Sequence, residues 1–412
     1  MEKYSVPNYV TYILTEIEKA GHRAYLVGGC VRDMVMGRRP SDWDIATSAL
    51  PDKTAKIFKK AIPTGVKYGT VTVFYGGGKA EVTTLRRENE YSDARRPDSV
   101  DFVSDIEEDL SRRDFTVNAM AMDILGNIID PFGGREDIRQ RVIRCVGDPK
   151  RRFSEDGLRM MRAVRFSAKL GFDIDHDTVS AILENAPLME HISSERIRDE
   201  LLKALISKQP EKAGLFIKYR LLERFLSKSG AMAAGTVLTA GGTGDFSGLR
   251  RIRSGYGERA AAFAGLLIKK GLIKDGQEFF MSLRFSKSEA KLWGNAAKIG
   301  AEDGKWDDVS IKNLLNKYGR EAVLLSCHVN RVIYGKNPTR LVKRVLDSGQ
   351  CWNAGMLDIG GADLEKMGFR GRQIGFCLEK LTAIVIQSPQ MNEREILATM
   401  AMEIRDGIKT EV

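Results

Sequence analysis

Two carboxylates separated by one residue are the first candidates for chemistry in this sequence. Asp42 and Asp44 flank a tryptophan in the segment GRRPSDWDIATSA. On an extended strand, residues i and i+2 point to one face, so the two carboxylates converge. Carboxylates this close repel one another unless cations bind between them, and Mg²⁺ held in this way serves phosphoryl transfer. The pair therefore predicts a magnesium site. Glu81, in the strand-like segment AEVTTL, is a candidate third carboxylate or, alternatively, an exposed strand residue.

A pair of glycines precedes these carboxylates within the same short stretch. Gly28 and Gly29 follow the apolar run AYLV and precede a short predicted helix. Backbone N–H groups at a helix start can approach phosphates, and Arg32 would add a bidentate phosphate contact. Each feature alone is common in tight turns. Together they favour a nucleotidyltransferase that binds a nucleoside triphosphate and its metals.

A second group of polar residues occurs in DLSRRDFTVNAMAM, residues 109–122. Arg113 is predicted to contact the triphosphate, while Asp114 and Asn118 hold the sugar. Contact with the ribose 2′-hydroxyl would select ribonucleotides. The segment also predicts a helix capped by Asp114 or Thr116, with an apolar stripe formed by Phe115, Ala119 and Met122.

A third group occurs in RRFSEDGLRMMRAVRF, residues 151–166, where Asp156, Arg159, Arg162 and Arg165 advance by three along a predicted helix. Cytosine and adenine both place an amino donor beside a ring-nitrogen acceptor. Asp156 can accept from the amino group while Arg159 donates to the ring nitrogen, which excludes uracil and guanine. The alternative is a solvated helix with an ion pair between Asp156 and Arg159.

The elements that must position these groups change character along the chain. Short β-rich runs between helical segments predict an α+β region in the first third, with a hairpin at Gly76–Lys79. After a predicted hinge at Pro131–Gly134, most segments have helical periodicity. The glycine-rich stretch Thr239–Gly248 predicts a long loop.

Composition indicates a folded protein that binds a polyanion. The chain of 412 residues is 43% hydrophobic and carries a net charge of +10. Residues 1–137 carry −3, whereas residues 138–334 carry +12, and a basic middle favours a nucleic-acid partner. No apolar run predicts a membrane span or a signal peptide. The five scattered cysteines suggest reduced thiols and a cytoplasmic location.

Several motifs, in order, resemble class II tRNA nucleotidyltransferases, the bacterial CCA-adding enzymes and their poly(A) polymerase relatives. The resemblance covers about residues 22–205 and includes LVGGCVRDMVMG, DWDIATSA, EVTTLRRE, DLSRRDFTVNAMAMD, DPFGGREDI, RRFSEDGLRMMRAVRF and HISSERIRDELLKAL. It implies a palm-like nucleotidyltransferase head with a mixed sheet (residues 1–137), followed by an all-α neck (138–205), body (206–334) and tail (335–412). The neck would recognise the base, and the tail would bind tRNA.

The resemblance also implies the activity and its residues. C, C and A would be added without a template to the 3′ end of tRNA, from CTP and ATP, with no protein partner and no membrane. Asp42 and Asp44 would be the metal ligands, and the hinge would let the site accept C and then A. The nucleotide-binding residues that it implies are Gly29, Arg32, Arg113, Asp156, Arg159, Arg162 and Arg165.

Other activities remain open alternatives. An enzyme that adds only A is compatible with every motif. One that adds only CC is disfavoured, because residues 88–100 (ENEYSDARRPDSV) resemble a flexible loop that such members lack. A poly(A) polymerase ranks third, because the segment PTGVKYGTVTV lacks the basic residues expected there. An RNA-binding protein with an inactive head is disfavoured by the intact aspartates. A phosphohydrolase site at His176-Asp177 is disfavoured because the chain has only four histidines.

Overall fold

The fold is that of a computed structural model, which describes residues 5–65, 68–88, 100–228, 245–253 and 255–410. The chain divides into two compact units, Met1–Glu223 and Arg224–Val412. The predicted boundaries at residues 137, 205 and 334 define smaller segments, which stay predictions. Most of the predicted flexible loop at 88–100 and the first part of the predicted long loop at Thr239–Gly248 lie outside the described residues.

The first unit contains a seven-stranded mixed sheet and two smaller sheets. Its described strands are β1 (Ala24–Val27), β2 (Asp44–Thr47), β3 (Ala61–Gly65), β4 (Thr70–Tyr75), β5 (Gly78–Thr84), β6 (Arg86–Glu88), β7 (Val100–Phe102), β8 (Ala121–Met122), β9 (Ile128–Ile129), β10 (Val142–Ile143) and β11 (Asp173–Ile174). The large sheet has the order β3-β4-β5-β2-β1-β8-β9, in which only β2 and β5 are parallel neighbours. Strands β6 and β7 pair antiparallel, and β10 and β11 pair parallel.

Helices of the first unit flank this sheet and then form most of its C-terminal part. They are α1 (Asn8–Lys19), α2 (Gly29–Val35), α3 (Pro51–Ile57), α4 (Ile106–Ser111), α5 (Gly134–Gln140), α6 (Pro149–Glu155), α7 (Leu158–Leu170), α8 (His176–Asn185), α9 (Ser194–Leu205) and α10 (Gly214–Lys218). The next helix, α11 (Glu223–Lys228), spans the division between the units.

The described part of the second unit is helical. Its helices are α12 (Tyr256–Lys269), α13 (Gly276–Ser282), α14 (Lys287–Ala301), α15 (Asp308–Tyr318), α16 (Arg320–Tyr334), α17 (Thr339–Asp347), α18 (Gly361–Lys366), α19 (Arg372–Gln387) and α20 (Arg394–Thr410). A head with a mixed sheet followed by a helical region confirms the predicted fold class. None of the described helices is long and apolar enough to cross a membrane.

The head sheet places one end of β1 beside the start of β2. All four residues of β1 are buried, and Leu26 pairs with Ile45 in antiparallel register. The chain therefore leaves β1 at Gly28 close to the point where Asp44 begins β2. The predicted hairpin at Gly76–Lys79 is confirmed, since β4 and β5 pair around it. Its strand β5 then brings Glu81 opposite Asp44.

The helix predicted after Asp114 is wrong. Phe115 is extended (φ −132°), Thr116–Asn118 form a single 3₁₀ turn, and Ala121–Met122 form β8. The reason is that Ala119, Ala121 and Met122 are fully buried and β8 pairs with β1 on one side and β9 on the other. A short apolar run that is buried on both faces does not distinguish a strand from a helix.

The predicted helix through Asp156 is also partly wrong. Helix α6 ends at Glu155 and α7 begins at Leu158, so Asp156 is extended (φ −145°) between them. Its Oδ1 accepts a hydrogen bond from the Leu158 N–H at 3.0 Å. Aspartate side chains compete in this way for backbone donors, which favours helix starts over helix interiors. Arg159, Arg162 and Arg165 lie on α7 as predicted.

Candidate functional site

A pocket of about 530 Å³ in the first unit collects most of the predicted site. This volume is in the range that small-molecule ligands occupy. Seven arginines and one lysine line it, against three aspartates, so it favours a strongly anionic ligand. The predicted site residues that line it are Gly28, Gly29, Arg32, Asp44, Arg113, Asp114, Asn118, Asp156, Arg159, Arg162 and Arg165.

Asp44 lines the sheet end of this pocket and has two other carboxylates near it in the chain and the sheet. Asp44 lines the pocket, Glu81 lies opposite it in the strand register, and Asp42 lies just before β2. Burial and the Glu81 carboxylate raise the pKa of Asp44 above its usual value; the Arg113 guanidinium opposes this shift, and Asp42 adds to it. Asp42 and Glu81 do not line the pocket itself, but the negative charge of each raises the pKa of Asp44.

These carboxylates fit a divalent cation. Because Asp44 is partly buried beside two other carboxylates, a bound cation would relieve both its desolvation and the repulsion. No group of three or more His, Cys, Asp or Glu side chains suited to a metal occurs among the described residues. Mg²⁺ does not require one, since it commonly keeps several waters and binds one or two carboxylates together with substrate phosphates.

Because Gly28 has no side chain, the charged groups of Arg113 and Asp44 can both lie close to its backbone. Its backbone has φ 72° and ψ −128°, which side-chain-bearing residues rarely adopt. A Cβ at this position would lie 2.8 Å from Arg113 Nη1 and 3.9 Å from Asp44 Oδ2. The glycine therefore allows Arg113 and Asp44 to face the same part of the pocket.

A buried carboxylate holds the two arginines that follow α4. The Asp109 side chain is 1% exposed and accepts hydrogen bonds from Arg112 Nη2 at 2.7 Å and Arg113 Nη2 at 3.1 Å. Burial would raise the pKa of Asp109, but the guanidinium groups of Arg112 and Arg113 outweigh burial and lower it. Both guanidinium groups are thus oriented before a ligand arrives.

A chain of hydrogen bonds connects the head to helix α7. Arg32 Nη1 donates to Asn118 Oδ1 at 2.6 Å, and Asn118 Nδ2 donates to Asp114 Oδ1 at 3.4 Å. Arg162 Nε then donates to Asp114 Oδ2 at 2.7 Å. Burial opposes ionisation of Asp114, but Arg162 outweighs it and holds the pKa of Asp114 below its usual range.

Asp156 and Arg159 line the pocket where α6 and α7 meet. Asp156 Oδ2 accepts from Arg196 Nη2 at 2.9 Å, whereas Arg159 Nη1 lies 2.6 Å from Glu155 Oε2. Asp156 and Arg159, considered from the sequence as an ion pair with each other, thus each pair with another residue. Both predicted base-reading side chains are held in place by other protein groups.

Five lining residues were not predicted as site residues: Arg112, Leu158, Phe166, Lys169 and Arg196. Helical spacing could have indicated Phe166 and Lys169, which follow Arg162 by four and seven residues on α7. The Phe166 ring lies under three guanidinium groups, with Arg165 Cζ 4.0 Å from its centroid. Arg196 carried no such signal, because it lies on α9, 40 residues beyond its partner.

Comparison with known proteins defines the class of this fold and site. Residues 24–144 match the model of the Poly A polymerase head domain, and residues 171–229 match that of a probable RNA and SrmB-binding site of polymerase A. The first unit therefore contains a head of the poly A polymerase type, followed by the region that accompanies it.

Full-length similarity identifies the family. A crystal structure of the Bacillus stearothermophilus CCA-adding enzyme in complex with CTP is 33% identical, covers 98% of each chain and has a TM-score of 0.76. The chain belongs to the family of CCA-adding enzymes. The CCA-adding enzyme of Geobacillus stearothermophilus is 56% identical over 193 residues, which are 47% of this chain and 48% of the relative. That of Lactobacillus helveticus is 50% identical over 212 residues, 51% of this chain and 53% of the relative. In these alignments the chain spans about half the length of the curated relatives.

Proposed function

We propose that this protein adds C, C and A to the 3′ end of tRNA, using CTP and ATP and no nucleic-acid template. One observation carries the proposal: a single pocket is lined both by Asp44, which has Glu81 opposite it in the sheet, and by the separate pair Asp156 and Arg159. The first group suits metal-dependent phosphoryl transfer, and the second suits selection of a base. The similarity over the full chain to an enzyme whose structure holds CTP supports this assignment.

The carboxylates would hold Mg²⁺ through Asp42 and Asp44, with Glu81 beside them. When bound there, Mg²⁺ would activate the attacking 3′ hydroxyl and stabilise the leaving pyrophosphate. The guanidinium groups of Arg32 and Arg113 would bind the triphosphate. Since Asn118 and Asp109 already hold these two groups, the site needs little reorganisation when the nucleotide enters.

Asp114 and Asn118 would contact the ribose, and the base would meet Asp156 and Arg159. Asp156 would accept from the amino group of cytosine or adenine, and Arg159 would donate to the adjacent ring nitrogen. UTP and GTP would place a carbonyl against the Asp156 carboxylate. The polar groups left without hydrogen-bond partners would lower the affinity for these nucleotides. Arg162 and Arg165 would contribute to nucleotide binding from the same helix.

The tRNA would bind as a polyanion, in keeping with the excess of basic residues in 138–334. The segment Pro131–Gly134 would act as the hinge between the head and the following helices. A cytoplasmic location is likewise proposed, supported by the five free, buried cysteines.

The test is incubation of the purified protein with tRNA lacking the terminal CCA, with CTP and ATP singly and together. Stepwise addition of C, C and A is expected on a sequencing gel. Extension by ATP of only those tRNAs that already end in CC would instead identify an A-adding enzyme. Long tails with ATP alone would identify a poly(A) polymerase.

Two variants test the shared metal site. Asp42→Ala and Asp44→Ala should each abolish incorporation of both C and A while tRNA binding survives, because both nucleotides use the same carboxylates. Asp52→Ala, which removes an exposed carboxylate from the first turn of α3, is the matched control and should remain active. Loss of only one nucleotide in Asp42→Ala or Asp44→Ala would contradict a shared site.

A further inference from the structure

We infer that Arg196 is a positioning residue for base selection, which fixes the orientation of the Asp156 carboxylate towards the incoming nucleotide. This inference rests on the proposed function and assigns a specificity role to helix α9. Arg196 lines the pocket and comes from a different element than the two residues that it would serve.

Two donors on opposite oxygens hold the Asp156 carboxylate. The Leu158 N–H donates to Oδ1 at 3.0 Å, and Arg196 Nη2 donates to Oδ2 at 2.9 Å. Two such bonds fix the rotation of the carboxylate plane. A carboxylate accepts about four hydrogen bonds in total, so positions remain for an amino group of the base. The carboxylate is thus both oriented and still able to accept.

The neighbouring base-reading residue has supports of its own. Arg159 Nη1 is held by Glu155 Oε2 at 2.6 Å and by the Arg152 carbonyl at 2.9 Å. Its guanidinium is therefore anchored on α6, on its own side of the pair. Asp156 and Arg159 thus have separate supports, Arg196 for the acceptor and Glu155 for the donor.

Helix α9 is itself anchored to α7 at a second point. Glu200 follows Arg196 by four residues on α9, so both side chains face the same direction. Glu200 Oε2 lies 2.7 Å from Arg165 Nε, and the Glu200 side chain is 4% exposed. In addition, Arg196 Nη1 is buried and has no hydrogen-bond partner within the protein.

The experiment compares Arg196→Met, Arg196→Lys and the control Arg198→Met. Methionine keeps a long, unbranched apolar side chain but removes the charge and the donors, and lysine restores a charged donor. Arg198 lies on the same helix, pairs with Asp199 at 2.9 Å and is not a lining residue of the pocket. The readout is the ratio of kcat/KM for CTP over UTP on tRNA lacking CCA.

Arg196→Met should lower that ratio by about tenfold, the size expected when one charge-assisted hydrogen bond no longer orients the acceptor. Arg196→Lys should recover most of the ratio, and Arg198→Met should leave it unchanged. In an Asp156→Ala background, Arg196→Met should have no further effect on the ratio, because it acts through that carboxylate. An unchanged ratio in Arg196→Met, or an equal fall in Arg198→Met, would overturn the inference.

Two further measurements keep the inference separate from folding and from the proposed function. If Arg196→Met does not fold, as judged by its thermal transition, Arg196→Gln replaces it, because glutamine also removes the charge. A CTP-over-UTP ratio that falls in folded Arg196→Gln supports the inference, and a wild-type ratio overturns it. If the wild-type protein adds no nucleotide, the proposed function fails. Equilibrium binding of CTP against UTP then tests Arg196 directly, and equal CTP preference in wild type and Arg196→Met refutes its role.

Discussion

Replacing Gly28 with alanine is expected to destabilise the first unit far more than the same change at Gly29. The two glycines are adjacent in the sequence but differ in their surroundings. A Cβ on Gly28 would lie 2.8 Å from Arg113 Nη1, and Gly28 has a φ of 72°. A Cβ on Gly29 would meet only Arg32 Nη2 at 3.6 Å, which is an ordinary contact.

The magnitude for Gly28→Ala has a backbone part and a contact part. Its φ and ψ of 72° and −128° cost of order 1–3 kcal/mol for a residue with a side chain. Arg113 must also move, and the loss of its hydrogen bond to the buried Asp109 adds about 1.5–3 kcal/mol. The free energy of unfolding should therefore fall by about 3–5 kcal/mol.

Two matched variants separate these parts in denaturant unfolding experiments. Gly37 has a φ of 68° with nothing within 4 Å of its Cβ position, so Gly37→Ala reports only the backbone part, about 1–2 kcal/mol. Gly29→Ala lies in the first turn of α2 and should be neutral or slightly stabilising. Equal destabilisation of Gly28→Ala and Gly37→Ala would refute the close approach of Arg113. Equal values for Gly28→Ala and Gly29→Ala would refute the whole argument.

Two other predictions follow from the carboxylates that face helix α7. Asp156→Ala should raise kcat/KM for UTP relative to CTP by about tenfold to a hundredfold, because the 4-carbonyl oxygen of UTP no longer faces the Asp156 carboxylate. An unchanged ratio would place base recognition elsewhere. Asp114→Asn should lower the melting temperature more at pH 7 than at pH 3. The pKa of Asp114 is lowered in the folded state, so its pairing with Arg162 stabilises fully above the unfolded value of about 3.9 and is lost as pH falls through the folded value. Equal shifts at both pH values would contradict this.

The sequence predicted the parts of the site that depend on neighbouring residues. The apolar run AYLV followed by two glycines predicts a strand and then a short helix, and the structure has β1 and α2 there. The hairpin at Gly76–Lys79 was predictable for the same reason, since turn residues separate two β-rich runs. Gly28 and Asp44 could also be expected near each other, because the glycine pair and the carboxylate pair together favour one nucleotide site.

Pairing between distant residues was not predictable from a single sequence. Nothing local distinguishes Arg196 from Arg198 on α9, although only Arg196 lines the pocket. The segment after Asp114 was predicted as a helix because its apolar residues fit a helical stripe. Burial on both faces, between β1 and β9, decided the outcome instead, and this burial depends on a strand far away in the sequence.

The arrangement of charge in the pocket explains how so many arginines can be kept inside a folded unit. Burying a guanidinium is costly unless a carboxylate compensates it. Here each of five carboxylates pairs with one or two pocket arginines: Asp109, Asp114, Glu155, Asp156 and Glu200. Because the arginines and lysine still outnumber the lining carboxylates, a net positive field remains for a triphosphate. The same pairs hold the donors in fixed directions, so the site can stabilise developing charge without reorganising. Because each carboxylate in this set pairs with a pocket arginine, a substitution at any one of them should be assayed for both stability and nucleotide selectivity.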